Sequence, residues 1–280
     1  MQPMDLDGLR EIDADNVFRE DFRSYTYNED SHMVAKLSWF FELAQEMAAF
    51  HAVQRHCSIP ELHEIGCTWV ITHTEMQIDR YPHWPEVVHM ETWAQNPSGI
   101  FIPRSVRAYD KYGKRCFLAK TFWAILDTNT GRPRVPSKIM EKLIQPTDSE
   151  RYPQHCALPP RISRIIPKDI QEISHTQPDV TYGVTDSNHH VNNVAYINWL
   201  LTAMPNDFRD LYKVSQITVS WLRQTFLADH IHVQTFSDAD NPFSGPAPIF
   251  FHQIWKDEQD GSKSKVFEAK TTWKPRIEVE

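Results

Sequence analysis

The sequence predicts an α+β protein built from two copies of one domain, each an antiparallel sheet wrapped around a single long apolar helix. Three internal matches carry that expectation. FLAKTFW at 117–123 returns as FEAKTTW at 267–273, 150 residues on. EVVHMETW at 86–93 returns as DHIHVQTF at 229–236, 143 residues on. AKLSWFFELAQEMAAF at 35–50 lies opposite NNVAYINWLLTAMPND at 192–207, 157 residues on. One such match is within chance; three in the same order at nearly the same offset mark a duplication.

Each copy reads as an extended segment, a loop, a helix and several strands. In the first helix Leu37, Phe40, Phe41, Ala44, Met47, Ala48 and His51 recur at helical spacing. Ser38, Glu42, Gln45 and Ala49 leave only a thin, partly polar stripe, so other structure must surround this helix. In the second, Val194, Ile197, Leu200, Leu201 and Met204 form the apolar face. Alternating or β-branched runs predict strands at 68–79, 86–95, 101–110 and 115–127, then at 214–223, 229–237, 248–257 and 264–274. Asp110–Gly113 and Asp260–Ser262 supply turn chemistry between the last pair in each copy, which implies antiparallel pairing. Pro133, Pro136, Pro146, Pro153, Pro159, Pro160 and Pro167 punctuate the stretch between the copies, read as a surface linker with a short helix near 137–144. The expected domains are 1–140, a linker over 141–175, and 176–280.

Composition narrows the function. The 280 residues are 41% hydrophobic, enough for one large core or two ordinary ones. No apolar run approaches the roughly 18 residues of a membrane span. The opening residues 1–7 are acidic and lack the apolar core of a secretory signal, so the expected address is the cytoplasm. Cys57, Cys67, Cys116 and Cys156 show no CxxC spacing and read as reduced thiols. A net charge of −8 argues against a nucleic-acid binder with a broad basic surface. Between 131 and 170, however, eight basic residues stand against four acidic ones, and Arg132, Arg134 and Lys138 form a candidate patch for an acidic partner. Fourteen histidines include no HExxH; His230 and His232 alternate on one strand face without a third ligand in view. No metal and no cofactor are expected.

The richest polar cluster is Thr185-Asp186-Ser187-Asn188-His189-His190-Val191-Asn192-Asn193, placed before the second helix. Asn192 or Asn193 can cap that helix, whose first amides lack internal partners and carry the positive end of its dipole. Such a loop can hold a carboxylate, an amide and an imidazole beside ready oxyanion donors, which suits acyl transfer. An ordinary capping loop has a similar composition.

The run DSNHHVNNVAYINWLL resembles the signature of plant and bacterial acyl-acyl carrier protein (acyl-ACP) thioesterases, in which Asp-x-Asn-x-His precedes Val-Asn-Asn and a helix with Tyr and Trp. SWFFELAQEMAAFHA at 38–52, TWVITHTEMQIDRYPHWPEVVHMETW at 68–93 and AKTFWAILD at 119–127 resemble the same family. The resemblance spans about Phe18 to Pro275. It implies a tandem hotdog fold and hydrolysis of a fatty acyl thioester carried by acyl carrier protein. It places the family's Asp, Asn and His on Asp186, Asn188 and His190. The family's strand Glu falls on Gln224, followed by Thr225, and an amide is no base. The helix offset carries the three site residues back to Glu29, Ser31 and Met33, so one competent site per chain is expected.

The implied mechanism is general-base hydrolysis. Asp186 is the base or the group that orients His190; Asn188 positions water or carbonyl; His190 relays a proton to the leaving thiolate. Attack by Asp186 to give an anhydride is the covalent variant. Gln224 holds the water or is an ordinary polar residue. Asn193 begins the oxyanion-binding turn. Phe40, Phe41, Met47 and Phe50 are the expected acyl-chain lining. Competing readings are an acyl-CoA thioesterase, a hotdog dehydratase or hydratase, and a non-catalytic acyl-binding protein. The fused pair already supplies the usual hotdog dimer, so monomer and homodimer both remain open.

Overall fold

The computed structural model describes residues 10–134 and 137–276. The acidic opening residues 1–7 and Pro136 lie outside them. The chain forms two compact units, one taking it up to Val70 and again over Arg80–Ala157, the other over Ile71–Asp79 and Leu158 onward.

Unit 1 holds β1 (Phe18–Arg23), α1 (Leu37–Gln54), α2 (Ile59–Glu64), the start of β2 (Cys67–Ile78), β3 (Val87–Ala94), β4 (Ile102–Tyr109), β5 (Arg115–Asp127) and α3 (Ser137–Met140). Its strands run in the order β1-β3-β4-β5, all antiparallel. Unit 2 holds the rest of β2, β6 (Gln171–Thr176), α4 (Asn193–Thr202), α5 (Asn206–Leu211), β7 (Tyr212–Trp221), β8 (Ile231–Ser237), β9 (Ile249–Asp257) and β10 (Lys263–Pro275). Its order is β2-β7-β10-β9-β8-β6, again antiparallel.

The apolar arc of α1 is buried from Leu37 through Met47 to His51. Phe40 is fully buried, its ring 5.1 Å from those of Tyr81 and Phe117. Phe40→Ala is expected to cost about 3–5 kcal/mol, read as a lower urea midpoint. In unit 2, α4 buries Val194, Tyr196, Ile197 and Leu200. The β4–β5 turn is set by Asp110, whose Oδ1 accepts from the amides of Tyr112 and Lys114 at 2.9 Å. Gly113 there has φ +76°, a conformation that favours glycine.

The duplication extends to side-chain contacts. Trp123 Nε1 donates to Thr121 Oγ1 at 2.9 Å, and Trp273 Nε1 donates to Thr271 Oγ1 at 2.9 Å. Phe40 stacks on Phe117 at 5.1 Å, and Tyr196 stacks on Phe267 at 5.3 Å. Phe40 and Tyr196 are therefore equivalent, which sets the helix offset at 156 residues rather than 157.

The second helix is shorter than the sequence pattern suggested. It ends at Thr202, and α5 begins after Pro205, whose ring and missing N–H cannot continue a helix. The stretch expected as linker over 141–175 is divided between the units. Leu143 and Tyr152 are buried in unit 1, and Gln171–Thr176 is the edge strand β6 of unit 2. Tyr152 is held by a hydrogen bond from Arg19 at 2.7 Å and by donating to buried Glu91 at 3.1 Å.

Candidate active site

The polar loop of unit 2 is built on Asp186. Its Oδ1 accepts from the amides of Asn188 (2.8 Å) and His190 (3.2 Å), while its own amide donates to the His190 carbonyl at 2.8 Å. His189, at φ +60°, turns the chain through the left-handed region. This is an Asx-type turn, in which a short acidic side chain replaces backbone partners. It leads directly into α4, where Asn192 is the N-cap and its Oδ1 accepts from Val194 N at 2.9 Å.

The same turn stands in unit 1. Asp30 Oδ1 accepts from His32 N at 2.9 Å and Val34 N at 3.4 Å, Asp30 N donates to Val34 O at 2.9 Å, and Met33 has φ +58°. The first-copy equivalents of Asp186, Asn188 and His190 are thus Asp30, His32 and Val34, not Glu29, Ser31 and Met33. Unit 1 keeps the carboxylate and lacks the amide and the second imidazole. A carboxylate here has a structural duty wherever the loop occurs, and Asn188 and His190 are what unit 2 adds.

His190 is half-buried, its ring edge-on to that of Phe226 at 5.1 Å. Burial holds its pKa below the ordinary imidazole value; Asp186 pulls it up in part and His189 pushes it down. The imidazole is therefore neutral at pH 7 and able to accept a proton. The Asn188 carboxamide makes no hydrogen bond among the described residues, which leaves its N–H groups for a ligand. Of the first amides of α4, those of Val194 and Ala195 are taken by the Asn192 side chain and carbonyl. The expected oxyanion donors reduce to Asn193 N–H and the Asn188 side chain.

Gln224 does not lie on a strand. β7 ends at Trp221, and the amides of Leu222 and Arg223 both turn to the Val266 carbonyl. The chain then pairs with the polar loop: Val191 N donates to Thr225 O at 2.8 Å, and His190 forms a bridge with Phe226. Gln224 is exposed, next to this pairing. Asp229, the nearest carboxylate beyond it, caps a turn through Phe226 N at 2.8 Å and pairs with Lys256 at 3.4 Å.

Two partners of the site, Phe226 and Lys256, were missed from sequence. Phe226 shields His190, and Lys256 lies over its ring at 5.7 Å. Tyr196 lies beneath the loop beside Thr225, its phenol pushed up to about 12 by burial. Tyr196 was legible as part of the YINW run, and Phe226 gave no signal.

Of the expected acyl lining, Phe40, Phe41 and Met47 are core residues of unit 1. Phe50 is half-buried, parallel to Phe22 at 6.4 Å and edge-on to Phe18 at 6.4 Å. Arg134 of the expected basic patch is exposed and reaches the Ile65 carbonyl at 3.0 Å and Asp127 at 3.7 Å. His232 contacts Asp257 at 3.0 Å and His175 at 3.3 Å, while His230 precedes β8. Among the described residues no group of three or more His, Cys, Asp or Glu is placed to hold a metal, and no helix is long and apolar enough to cross a membrane.

Two sheet-wrapped helices in one chain, with a polar loop entering the second, define a tandem hotdog protein. The chain belongs to the acyl-ACP thioesterase family: the family's N-terminal domain matches residues 15–146 and its C-terminal domain matches 167–275. A palmitoyl-acyl carrier protein thioesterase of Cuphea hookeriana, described as chloroplastic, is 24% identical over 96% of this chain and 65% of its own length. Oleoyl-acyl carrier protein thioesterase 2 of Arabidopsis thaliana, also chloroplastic, is 24% identical over 80% of this chain and 64% of its own. The chain thus spans about two thirds of the length of these curated relatives. Among solved structures, a putative oleoyl thioesterase of Lactobacillus plantarum superposes with a TM-score of 0.78 at 18% identity, over 95% of this chain and 98% of that one. The 12:0-ACP thioesterase of Umbellularia californica gives 0.72 at 19%, over 93% and 98%. These structural likenesses establish the fold.

Proposed function

We propose that the chain hydrolyses fatty acyl-ACP to free fatty acid and holo-acyl carrier protein, using the Asp186–Asn188–His190 loop. The observation that carries this reading is the difference between the two Asx loops. The fold needs only the aspartate, yet unit 2 adds a free carboxamide and a half-buried neutral imidazole at a helix N-terminus.

In this mechanism water attacks the thioester carbonyl as His190 takes its proton. The negative charge that forms on the carbonyl oxygen is met by the Asn188 amide and Asn193 N–H. The intermediate collapses with cleavage of the C–S bond, and the imidazolium, stabilised by Asp186, protonates the departing thiolate. No covalent intermediate and no cofactor are required. The basic residues Arg132, Arg134 and Lys138 are the proposed encounter patch for the acidic carrier.

The test is release of free acid from acyl-ACP and acyl-CoA of matched chain length. Hydrolysis of neither sinks the reading; preference for CoA reassigns the donor.

Gln224 has a minor part, as an exposed residue beside the loop. Gln224→Ala is expected to lower kcat by less than about tenfold, and Gln224→Glu to be tolerated. A loss matching that of His190→Ala in purified, folded protein would promote Gln224 to the catalytic group.

For chain length, Phe50 is the residue to change. Being half-buried, it can yield without collapsing the core, and Phe50→Ala is expected to shift the product profile with little change in Tm. An unaltered profile by gas chromatography would remove Phe50 from the lining.

A further inference from the structure

Several arginines in unit 1 are paired with acids. Arg19 bonds Asp13 and Asp15, Arg80 bonds Glu86 and reaches Asp110, and Arg107 reaches Glu91. Arg104 breaks this pattern. It projects from β4 toward α1 and is only 6% exposed. Its Nη1 donates to His51 Nδ1 at 2.7 Å and to Thr92 Oγ1 at 3.2 Å. Among the described residues no carboxylate lies within ion-pair distance of it. Arg55 stands on the other side of the His51 ring, its Nε 3.4 Å from Nε2. Its Nη2 donates to Asn16 Oδ1 at 3.0 Å, and it too has no acid among the described residues.

Nothing nearby supplies the missing negative charge. Burial holds the Cys57 thiol up at about 11, so it is uncharged, and Glu61 is engaged with Ser58. Burial and the two flanking arginines hold His51 well below the ordinary imidazole range, so it acts as a neutral acceptor. Burial draws the Arg104 guanidinium down to about 10, which still leaves it charged at neutral pH. The C-terminal end of α1 offsets part of one charge, not two. An uncompensated buried cation is costly.

The fold does not require that cation. Thr92 pairs with Val106 where Thr235 pairs with His252, and Thr121 pairs with Arg104 where Thr271 pairs with Phe250. Both registers make Phe250 the counterpart of Arg104, and Phe250 is fully buried in an aromatic cluster. An apolar residue fills the position in the sister unit.

We infer that the Arg104–His51–Arg55 cluster between α1 and β4 in unit 1 is a carboxylate-binding subsite, with Arg104 as the principal donor and Arg55 as the second cation. Arg104 spends Nη1 on His51 and Thr92. The Nε–Nη2 edge then remains for a two-point bond to a planar carboxylate. Beside these polar groups lie apolar ones: Ala94 pairs with Arg104 across β3 and β4, Ile102 is two residues before it on β4, and Ala52 follows His51 on α1, which favours an aliphatic acid over a strongly hydrated dianion. The carboxylate has two possible sources: the head of a free fatty acid, or the far end of an acyl chain that terminates in an acid. The subsite is made by residues of unit 1 and the hydrolytic loop by residues of unit 2, and binding at the subsite does not depend on that loop's chemistry.

The experiment is calorimetric titration of the full chain with octanoate, 1-octanol and inorganic phosphate, in wild type, Arg104→Phe and Arg104→Met. The expected result is saturable octanoate binding weakened by about tenfold to a hundredfold in both variants, the range for a lost charged hydrogen bond. Octanol binding should be unchanged. Both variants should melt no lower than wild type without ligand, since a purely structural arginine would lower Tm when removed. Equal octanoate binding in all three proteins, no binding in wild type, or stronger binding of phosphate would overturn the assignment. Turnover of octanoyl against 7-carboxyheptanoyl thioesters then separates the sources. A KM raised by Arg104→Phe for the carboxylated chain alone identifies the acyl tail, and equal KM values identify the free acid.

Discussion

Asp186→Asn is expected to lose turnover by about 10²–10⁴-fold with little change in Tm, while Asp30→Asn changes neither. An asparagine Oδ1 can accept the amides of Asn188 and His190 as the carboxylate does, so the loop survives the substitution. What disappears is the negative charge that raises the basicity of His190 and stabilises its protonated form. Asp30 makes the same turn around His32 and Val34, with no imidazole at the second position to serve. The pair of variants therefore separates scaffold from chemistry within one molecule. Asp186→Ala removes the acceptor as well and should also lower stability by about 1 kcal/mol. Steady-state hydrolysis and thermal melts on purified protein read both effects. An Asp186→Asn enzyme with wild-type turnover would reduce Asp186 to the role of Asp30.

The strands that pack against a helix were legible because burial on one face imposes alternation on the sequence. β3, β4, β5, β8, β9 and β10 fall within two residues of their expected bounds. The edge strands were not read as strands: β1 fell in an extended segment and nearly all of β6 in the expected linker. FREDFR in β1 and QEISHT in β6 each have a single strand neighbour and carry charged, exposed residues, as edges do to resist further pairing. Helix α2 was also missed, although Ser58 and Glu61 form a capping box that announces it. Burial of Tyr152 within a proline-rich stretch depends on Arg19 and Glu91, distant in sequence, so no local pattern reveals it.

The site divides in the same way. Asp186, Asn188, His190 and the Asn192 cap fall within seven residues, and they share one loop that leads into α4, so their proximity was legible in the sequence. The helix offset was misread by one because apolar similarity between α1 and α4 is tolerant of a slip, whereas the Asx turn is not. Aligning Asp30 with Asp186 gives the offset that the Phe40 and Tyr196 stacks require. Gln224 was put on a strand because the resemblance carries the family's strand Glu onto it, one residue past the strand expected over 214–223. The chain leaves β7 after Trp221 to pair with the polar loop, a competition between two backbone partners that side-chain periodicity does not record.

His190→Ala should reduce kcat/KM by about 10²–10⁴-fold, and the pH profile identifies the form of the imidazole that works. If neutral His190 accepts the proton from water, activity falls as pH drops through its pKa. Burial beside Phe226 depresses that pKa, so the acid limb should lie below the ordinary value of about 6.5, with a plateau through neutrality. Loss of the Asp186 charge favours the neutral ring, so in Asp186→Asn the limb moves further toward acid even as the plateau drops. Phe226→Ala acts in the opposite sense: it admits water, relieves the desolvation and moves the limb upward. In His190→Ala the limb disappears from the residual rate. A wild-type profile that rises as pH falls from 7 to 6 would instead require the protonated imidazole from the start, and His190 would then be the acid alone, with the base to be sought elsewhere around Asn188.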